Sequence, residues 1–243
     1  MISVVIPVYN EAGCLREHVD TLRPLLTELA GNDWEIVLVD DGSRDGTGAE
    51  ITALAAADPH VRGCTHPVNR GKGAAVRTGV LATHGDIVLF CDADMSTPPE
   101  TLREFLAVLQ AGADVVLGNR KSGAARIERW QPPIRTWLGL GFTRLSNAMT
   151  GMSVSDYTCG FKLFRGEPGR AVFAETGTDG WVFDVEFIAR AARRGLVIRE
   201  VPVTWRHVDD TRVRVLRDVI RSFAELLALR RRLGRAPRKA RGG

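Results

Sequence analysis

Short runs rich in Val, Ile and Leu recur through the first half of the chain with helical patterns between them, and few folds accommodate that order. Ile2–Val8, Glu35–Val39, Asp86–Cys91 and Ala113–Leu117 have the continuous apolar character of strands buried on both faces. Between them, Leu15, Val19, Leu22, Leu26 and Leu29 follow helical spacing despite Pro24, as do Leu102, Phe105, Leu106 and Leu109. Thr97-Pro98-Pro99-Glu100 has the form of a capping box with proline in the first turn, which predicts the start of that second helix. Strand–helix alternation implies an α/β chain with a mostly parallel sheet and helices on both faces. Ligands of such sheets sit beyond the carboxyl ends of the strands, so chemistry is expected just after each apolar run.

The second half is less regular. Gly118–Pro133 is polar and Arg-rich, Ile134–Met149 reads as a helix, and Asp156–Arg165 mixes apolar and polar residues. Val182–Arg194 reads as helical and Leu196–Trp205 as extended. Over Arg212–Leu233 an apolar stripe runs through Leu216, Val219, Ile220, Phe223, Leu226 and Leu227. The simplest division is one catalytic domain (1–211), an amphipathic helix (212–233) and a basic, disordered tail (234–243).

Acids stand where this architecture expects a ligand. The first run ends in Pro7-Val8-Tyr9-Asn10-Glu11, the second in Asp40-Asp41-Gly42-Ser43, and Asp86–Cys91 leads into Asp92-Ala93-Asp94. A lone D-x-D is usually a solvated turn, whereas three acidic strand ends in register with one α/β pattern are far more specific. Carboxylate oxygens suit Mg²⁺ or Mn²⁺, ions that also bind phosphate oxygens. Two competing phosphate loops fail on inspection. Asn69-Arg70-Gly71-Lys72-Gly73 lacks a Walker loop's first glycine, where His66 stands, and its hydroxyl, where Gly73 stands. Gly46-Thr47-Gly48 and Gly139-Leu140-Gly141 lack the third glycine of a dinucleotide fingerprint. Arg70–Gly73 still offers flexible backbone and cations at the start of a helix through Arg77, a diphosphate contact.

Charge narrows the partners. The chain of 243 residues carries a net +4, but Arg230–Gly243 alone holds six Arg and one Lys without an acid. Removing that +7 leaves −3 for residues 1–229. A basic face for nucleic acid is therefore not expected. The longest stretch without Asp, Glu, Lys or Arg is Leu145–Ser155, eleven residues, against about 20 for a membrane span. Met1–Asn10 lacks the basic start of a signal peptide. Cys14, Cys64, Cys91 and Cys159 form no C-x-x-C pair, which favours reduced thiols in a cytosolic protein.

Taken in order, Tyr9-Asn10-Glu11, Val39–Thr47, Asn69–Gly73 and Asp92-Ala93-Asp94 resemble the motifs of family 2 glycosyltransferases with the GT-A fold. Asp156–Phe164 (DYTCGFKLF), Phe183–Glu186 and Glu200–Trp205 resemble the polyprenyl-phosphate branch of that family, nearer in motif to its dolichyl-phosphate β-glucosyltransferases than to its mannosyltransferases. The resemblance covers roughly residues 2–220. It implies an inverting enzyme that moves a hexose from a nucleotide diphosphate sugar, UDP-glucose before GDP-mannose, to a polyprenyl phosphate. By position, Pro7, Tyr9, Glu11, Asp41, Lys72 and Asp92 are implied to hold the nucleotide sugar, and Asp92 with Asp94 a divalent metal, Mg²⁺ or Mn²⁺. Asp156 and Asp94 are implied to be catalytic. Arg120, Arg135 and Arg212 are the arginines implied for the acceptor phosphate. Two positions depart from the pattern: Thr211 replaces a common Ser, and Ser96 stands where mannosyltransferases often carry Gln. A family 2 enzyme acting on a hydroxyl is the alternative, and a non-catalytic nucleotide-sugar-binding protein is the alternative from another class.

The expected place is the cytoplasmic face of a membrane, reached peripherally, directly or through a separate membrane protein. The basic tail is either solubilising charge or a contact with anionic lipid. Bland roles are expected elsewhere: Asp40 bonds its loop, Trp181 and Trp205 pack, His207 lies at the surface, and Cys159 is a small buried residue. The 212–233 stripe is expected against the domain or a partner helix, although Arg214, Arg217 and Arg221 on its flank also suit a membrane surface.

Overall fold

A computed structural model describes residues 1–129, 133–206 and 215–235. In chain order the elements are β1 (Ile2–Val8), α1 (Leu15–Ala30), β2 (Trp34–Asp40), α2 (Thr47–Ala57), β3 (Val61–Thr65), α3 (Lys72–Ala82), β4 (Ile87–Cys91), α4 (Thr101–Gln110) and β5 (Val115–Asn119). There follow β6 (Arg126–Arg129), α5 (Pro133–Thr150), β7 (Phe161–Arg165), α6 (Gly166–Phe173), α7 (Phe183–Arg193), β8 (Ile198–Pro202), β9 (Thr204–Arg206) and α8 (Val215–Arg235). Seven strands form one sheet in the order β3-β2-β1-β4-β7-β5-β8, and β6 pairs with β9 apart from it. All pairings in the large sheet are parallel except those of β7, which runs antiparallel to both β4 and β5.

The central strands are apolar throughout because they feed two cores. From β1, Val4, Ile6 and Val8 enter the core shared with Leu15, Leu22 and Phe105, whereas Val5 enters the one shared with Val76, Phe187 and Leu229. Ile36 and Leu38 of β2 take the first side, Val37 and Val39 the second. Helices α1 and α4 therefore cover one face, and α3, α6, α7 and α8 the other.

Four sequence expectations change. No Thr97 capping box forms: α4 begins at Thr101, with Glu100 as its N-cap and no side-chain cap. Pro98 and Pro99 instead lend their carbonyls to the amides of Thr101 and Leu102. The mixed Asp156–Arg165 segment contains β7, hidden because Lys162 is buried within it beside Asp184. Among the described side chains of α8, Leu226, Leu229 and Leu233 are buried, while Phe223 and Leu227 are exposed. That helix also runs two residues past the expected 233, to Arg235.

Candidate active site

The loops after β1 and β2 are stitched together by their own polar residues. Asn10, at φ 53, donates its amide to Ser43 Oγ (2.8 Å) and accepts from the Arg44 amide through Oδ1 (2.8 Å). The Glu11 amide donates to Thr47 Oγ1 (2.8 Å). Asp40 accepts from the Ser43 amide (2.8 Å), the loop-bonding role expected of it. Pro7 and Glu11 are half-buried on this rim, and Tyr9 is exposed.

Asp41 lies deeper than a simple nucleotide contact requires. Its carboxylate is buried and receives the Arg70 amide (3.0 Å), the Gly71 amide (2.8 Å) and the Nδ1 of His66 (2.8 Å). His66 is held in turn by Thr78 Oγ1 (2.9 Å). Asp41 thus fixes the loop that opens α3, and the first residue of that helix, Lys72, places Nζ 2.6 Å from Asp92 Oδ1. Burial pulls the Lys72 ammonium toward neutrality, but Asp92 and Asp184 outweigh it and raise its pKa.

Asp92 and Asp94 follow β4. Met95 takes a left-handed conformation (φ 48), and the Ser96 amide closes back on Asp94 Oδ1 (3.0 Å), leaving Asp94 exposed. The Ser96 hydroxyl beside it is buried and has no hydrogen-bond partner among the described residues. Two carboxylates, only one held by a lysine, form a hard oxygen set that fits Mg²⁺ or Mn²⁺ completed by phosphate oxygens and water. Among the described residues no group of three His, Cys, Asp or Glu side chains offers an all-protein cage.

The antiparallel strand brings a second group of residues to the same rim. The Gly160 carbonyl, just before β7, accepts from the Asp92 amide (2.9 Å), and a Cβ at Gly160 would collide with the Asp92 carboxylate. Two residues on, Lys162 pairs with Asp184 at 2.7 Å in full burial beneath Phe90. Burial raises the Asp184 carboxyl, and Lys162 and Lys72 offset part of that rise.

Asp156 is completely buried. Arg120, immediately after β5, grips it with a fork: Nε to Oδ2 (2.8 Å) and Nη2 to Oδ1 (2.9 Å), with the Arg120 amide also on Oδ2 (3.2 Å). Thr158 Oγ1 accepts from the same Nη2 (2.9 Å), and the guanidinium carbon lies 5.4 Å from the Trp205 ring centre. Burial would push the Asp156 carboxyl up, but Arg120 overrides it and holds the group well below the usual carboxylate range. Glu200 of β8 supports the turn by accepting the amides of Ser155 (2.9 Å) and Asp156 (3.1 Å).

Direct contacts therefore link Asp41, the 70–72 loop, Asp92, the Gly160 turn and the Asp156–Arg120 pair. Arg135 lies in the first turn of α5, and Arg212 and His207 lie outside the described residues, as does the tail from 236. Cys159 is buried as expected, its thiol pushed up to about 11 by that burial. Trp205 is half-buried as expected, but Trp181 is 41% exposed, with Lys72 Nζ 5.1 Å from its ring centre. Sequence reasoning gave no role to His66, Lys121 or Lys162. Lys121 stands 3.8 Å from Asp156 and bonds Thr143 Oγ1 (2.6 Å). Lys162 lies inside the quoted Asp156–Phe164 run, but the role of all three rests on a partner distant along the chain, which one sequence does not show.

A mostly parallel sheet with an acidic, lysine-lined rim at its strand ends defines an α/β transferase of the GT-A type. The fold is shared with glucosyl-3-phosphoglycerate synthase from Mycobacterium tuberculosis. Its complex with Mn²⁺, uridine-diphosphate and glucosyl-3-phosphoglycerate matches with a TM-score of 0.68 and 25% identity, over 94% of this chain and 79% of that one. Its complex with Mn²⁺, UDP-glucose and glycerol 3-phosphate matches with a TM-score of 0.70 at 24% identity, over 94% and 79% of the two chains. The sequence pattern of glycosyl transferase family 2 matches residues 3–173, and the chain belongs to that family. It is 34% identical over 225 residues to dolichyl-phosphate beta-glucosyltransferase ALG5C of Trichomonas vaginalis, covering 88% of this chain and 66% of that protein. It is 33% identical over 248 residues to the dolichyl-phosphate beta-glucosyltransferase of Saccharomyces cerevisiae, covering 94% and 74%. The chain thus spans about two thirds to three quarters of the length of these relatives.

Proposed function

We propose that the chain transfers glucose from UDP-glucose to a polyprenyl phosphate of the dolichyl type, with inversion at the anomeric carbon. The observation that carries this reading is similarity along most of the chain to dolichyl-phosphate beta-glucosyltransferases, with the quoted motifs converging on one rim. The donor's diphosphate would be met by Lys72 and the start of α3, and Asp94 with Asp92 would hold Mg²⁺ or Mn²⁺. Such an ion, when bound, would supply positive charge to offset that on the departing nucleoside diphosphate.

The acceptor is a phosphate monoester with a second pKa of about 6, already largely ionised at neutral pH, so no strong base is needed. Asp156 suits that requirement. With both oxygens on Arg120 and a depressed pKa it does not take up a proton, and it acts by aiming the guanidinium. Arg120 then orients the acceptor phosphate, with Arg135 and Arg212 as its partners.

The enzyme works at a membrane surface, on the cytoplasmic face, with Phe223 and Leu227 of α8 exposed beside the basic end. No helix among the described residues is long and apolar enough to cross a membrane. The test is incubation with UDP-glucose or GDP-mannose, Mg²⁺ or Mn²⁺ and a short polyprenyl phosphate, followed by mass spectrometry of the lipid. A hexosyl-phosphoryl lipid from UDP-glucose alone supports the reading; no glycosylated lipid from either donor overturns it.

A further inference from the structure

The segment between α6 and α7, residues 176–182, is gripped from two sides by elements far apart in sequence. On one side stands the opening of α3. The Ala74 amide donates to the Asp179 carbonyl (3.2 Å), and Arg77 bonds Asp179 Oδ1 (2.6 Å) and the Thr176 carbonyl (3.5 Å). Lys72, at the head of the same helix, has its ammonium near the Trp181 ring. On the other side stands α8. Arg232 donates Nη2 to Thr178 Oγ1 (2.7 Å) and sets Nη1 3.7 Å from Glu186 Oε2. The same Glu186 oxygen accepts from the Thr178 hydroxyl (2.6 Å) and amide (2.8 Å) and from the Gly177 amide (3.1 Å). Two turns earlier on α8, Glu225 accepts the Val182 amide (3.4 Å) and packs so closely on Gly180 that a Cβ there would strike its carboxylate.

The docking of α8 is itself firm at this end. Leu226, Leu229 and Leu233 are buried in the core beneath α7, and Arg193 donates to the Leu233 carbonyl (2.5 Å). The helix therefore offers a rigid backing to a loop that has no regular hydrogen-bonded structure of its own.

We propose that Glu225 and Arg232 are positioning residues for the donor pocket: they press the 176–182 loop against the first turn of α3 and thereby set Lys72 on Asp92. This inference rests on the reading of that pocket as the nucleotide-sugar site. It gives α8 a task beyond any contact with lipid, since its inner flank shapes the place where the donor diphosphate binds.

The test compares Arg232→Ala, Arg232→Lys and Glu225→Ala with Arg231→Ala, an exposed arginine on the same helix. Amide exchange in 177–182 and at Ala74 should speed up in Arg232→Ala and Glu225→Ala while the amides of β1 and β4 keep their protection. The KM for UDP-glucose should rise about tenfold in those two variants, the loss of one charge-assisted hydrogen bond, with the KM for polyprenyl phosphate unchanged. Arg232→Lys should recover most of the donor KM, and Arg231→Ala should match the wild type. Unchanged exchange at Ala74, or a donor KM within about twofold of wild type in both variants, would overturn the proposal. Failure of the wild-type chain to bind UDP-glucose would overturn the functional reading instead, and exchange at Ala74 would still decide whether α8 clamps the loop.

Discussion

Asp156 and Arg120, 36 positions apart, meet as a carboxylate and a guanidinium sharing two parallel hydrogen bonds of 2.8 and 2.9 Å, the acid fully buried and the base half-buried. Such a pair fixes direction more than it adds stability, because desolvation offsets most of its attraction. Removing one member is a different matter, since it strands the other charge. Asp156→Asn should lower turnover about 100-fold while the Kd for UDP-glucose moves less than about threefold, because aim is lost and not donor contact. Steady-state kinetics beside donor titration checks this, and near-normal turnover would sink the positioning role.

The same pair should leave a mark on acid stability. The folded carboxyl of Asp156 lies below its unfolded value, so its contribution is complete above the ordinary carboxylate range and fades as pH falls through the depressed pKa. The melting temperatures of wild type and Asp156→Asn should therefore differ by a constant amount from neutral pH to about 5 and converge below about 4. A gap that widens on acidification would contradict a carboxyl held below its ordinary value by Arg120.

Asp94 is exposed and, among the described residues, accepts only the local bond from the Ser96 amide, whereas Asp92 balances Lys72. Asp94→Ala should abolish Mn²⁺-dependent turnover, by at least about 100-fold, with little change in melting temperature. Asp92→Ala should both inactivate and destabilise, since Lys72 loses its partner. Equal melting temperatures for the two variants would refute the division.

Gly160 offers a probe that changes no charge. A methyl group there meets the Asp92 carboxylate, so Gly160→Ala should raise the Mn²⁺ concentration needed for half-maximal activity, while circular dichroism stays native. Unchanged metal dependence would mean that the turn before β7 yields without moving Asp92.

The basic end should be tested without cutting into α8. Residues 236–243 hold Arg238, Lys239 and Arg241, whereas Arg232 and Leu233 are engaged with the domain. Deleting 236–243 should weaken binding to phosphatidylserine vesicles by up to about 100-fold at low salt, on the scale of about 1 kcal/mol per cation, and the difference should vanish at high salt. Unchanged vesicle binding at low salt would discard a lipid role for these three cations.

Parallel strands buried on both faces left a plain trace: β1, β2, β4 and β5 were legible to within two residues, and the acids after β1, β2 and β4 marked the rim. What escaped had a physical reason in each case. The edge strand β3, Val61–Thr65, is half-exposed and mixes polar residues with Gly63, so no apolar run announces it. Strand β7 carries a buried lysine whose partner lies 22 positions away, and a lone sequence reads such a lysine as solvated. The Thr97 box fit a local pattern, but the chain leaving β4 must first turn at Met95 and Ser96, which delays the helix to Thr101. Asp41 stood out in the sequence as an acid at a strand end, yet its bond to His66 did not, because nothing in the sequence ties the two together.

Strand β7 runs against its neighbours, so the beginning of β7 lies beside the ends of β4 and β5. Two directions of chain travel therefore meet at one rim. Segments leaving the parallel strands carry Asp41, Asp92 and Arg120, while the segment arriving at β7 carries Asp156 and Gly160. Lengthening the connection ahead of Asp156 adds chain on the arriving side alone and leaves the departing loops untouched. In such a layout the arriving segment can vary in length while the loops that leave the parallel strands stay constant.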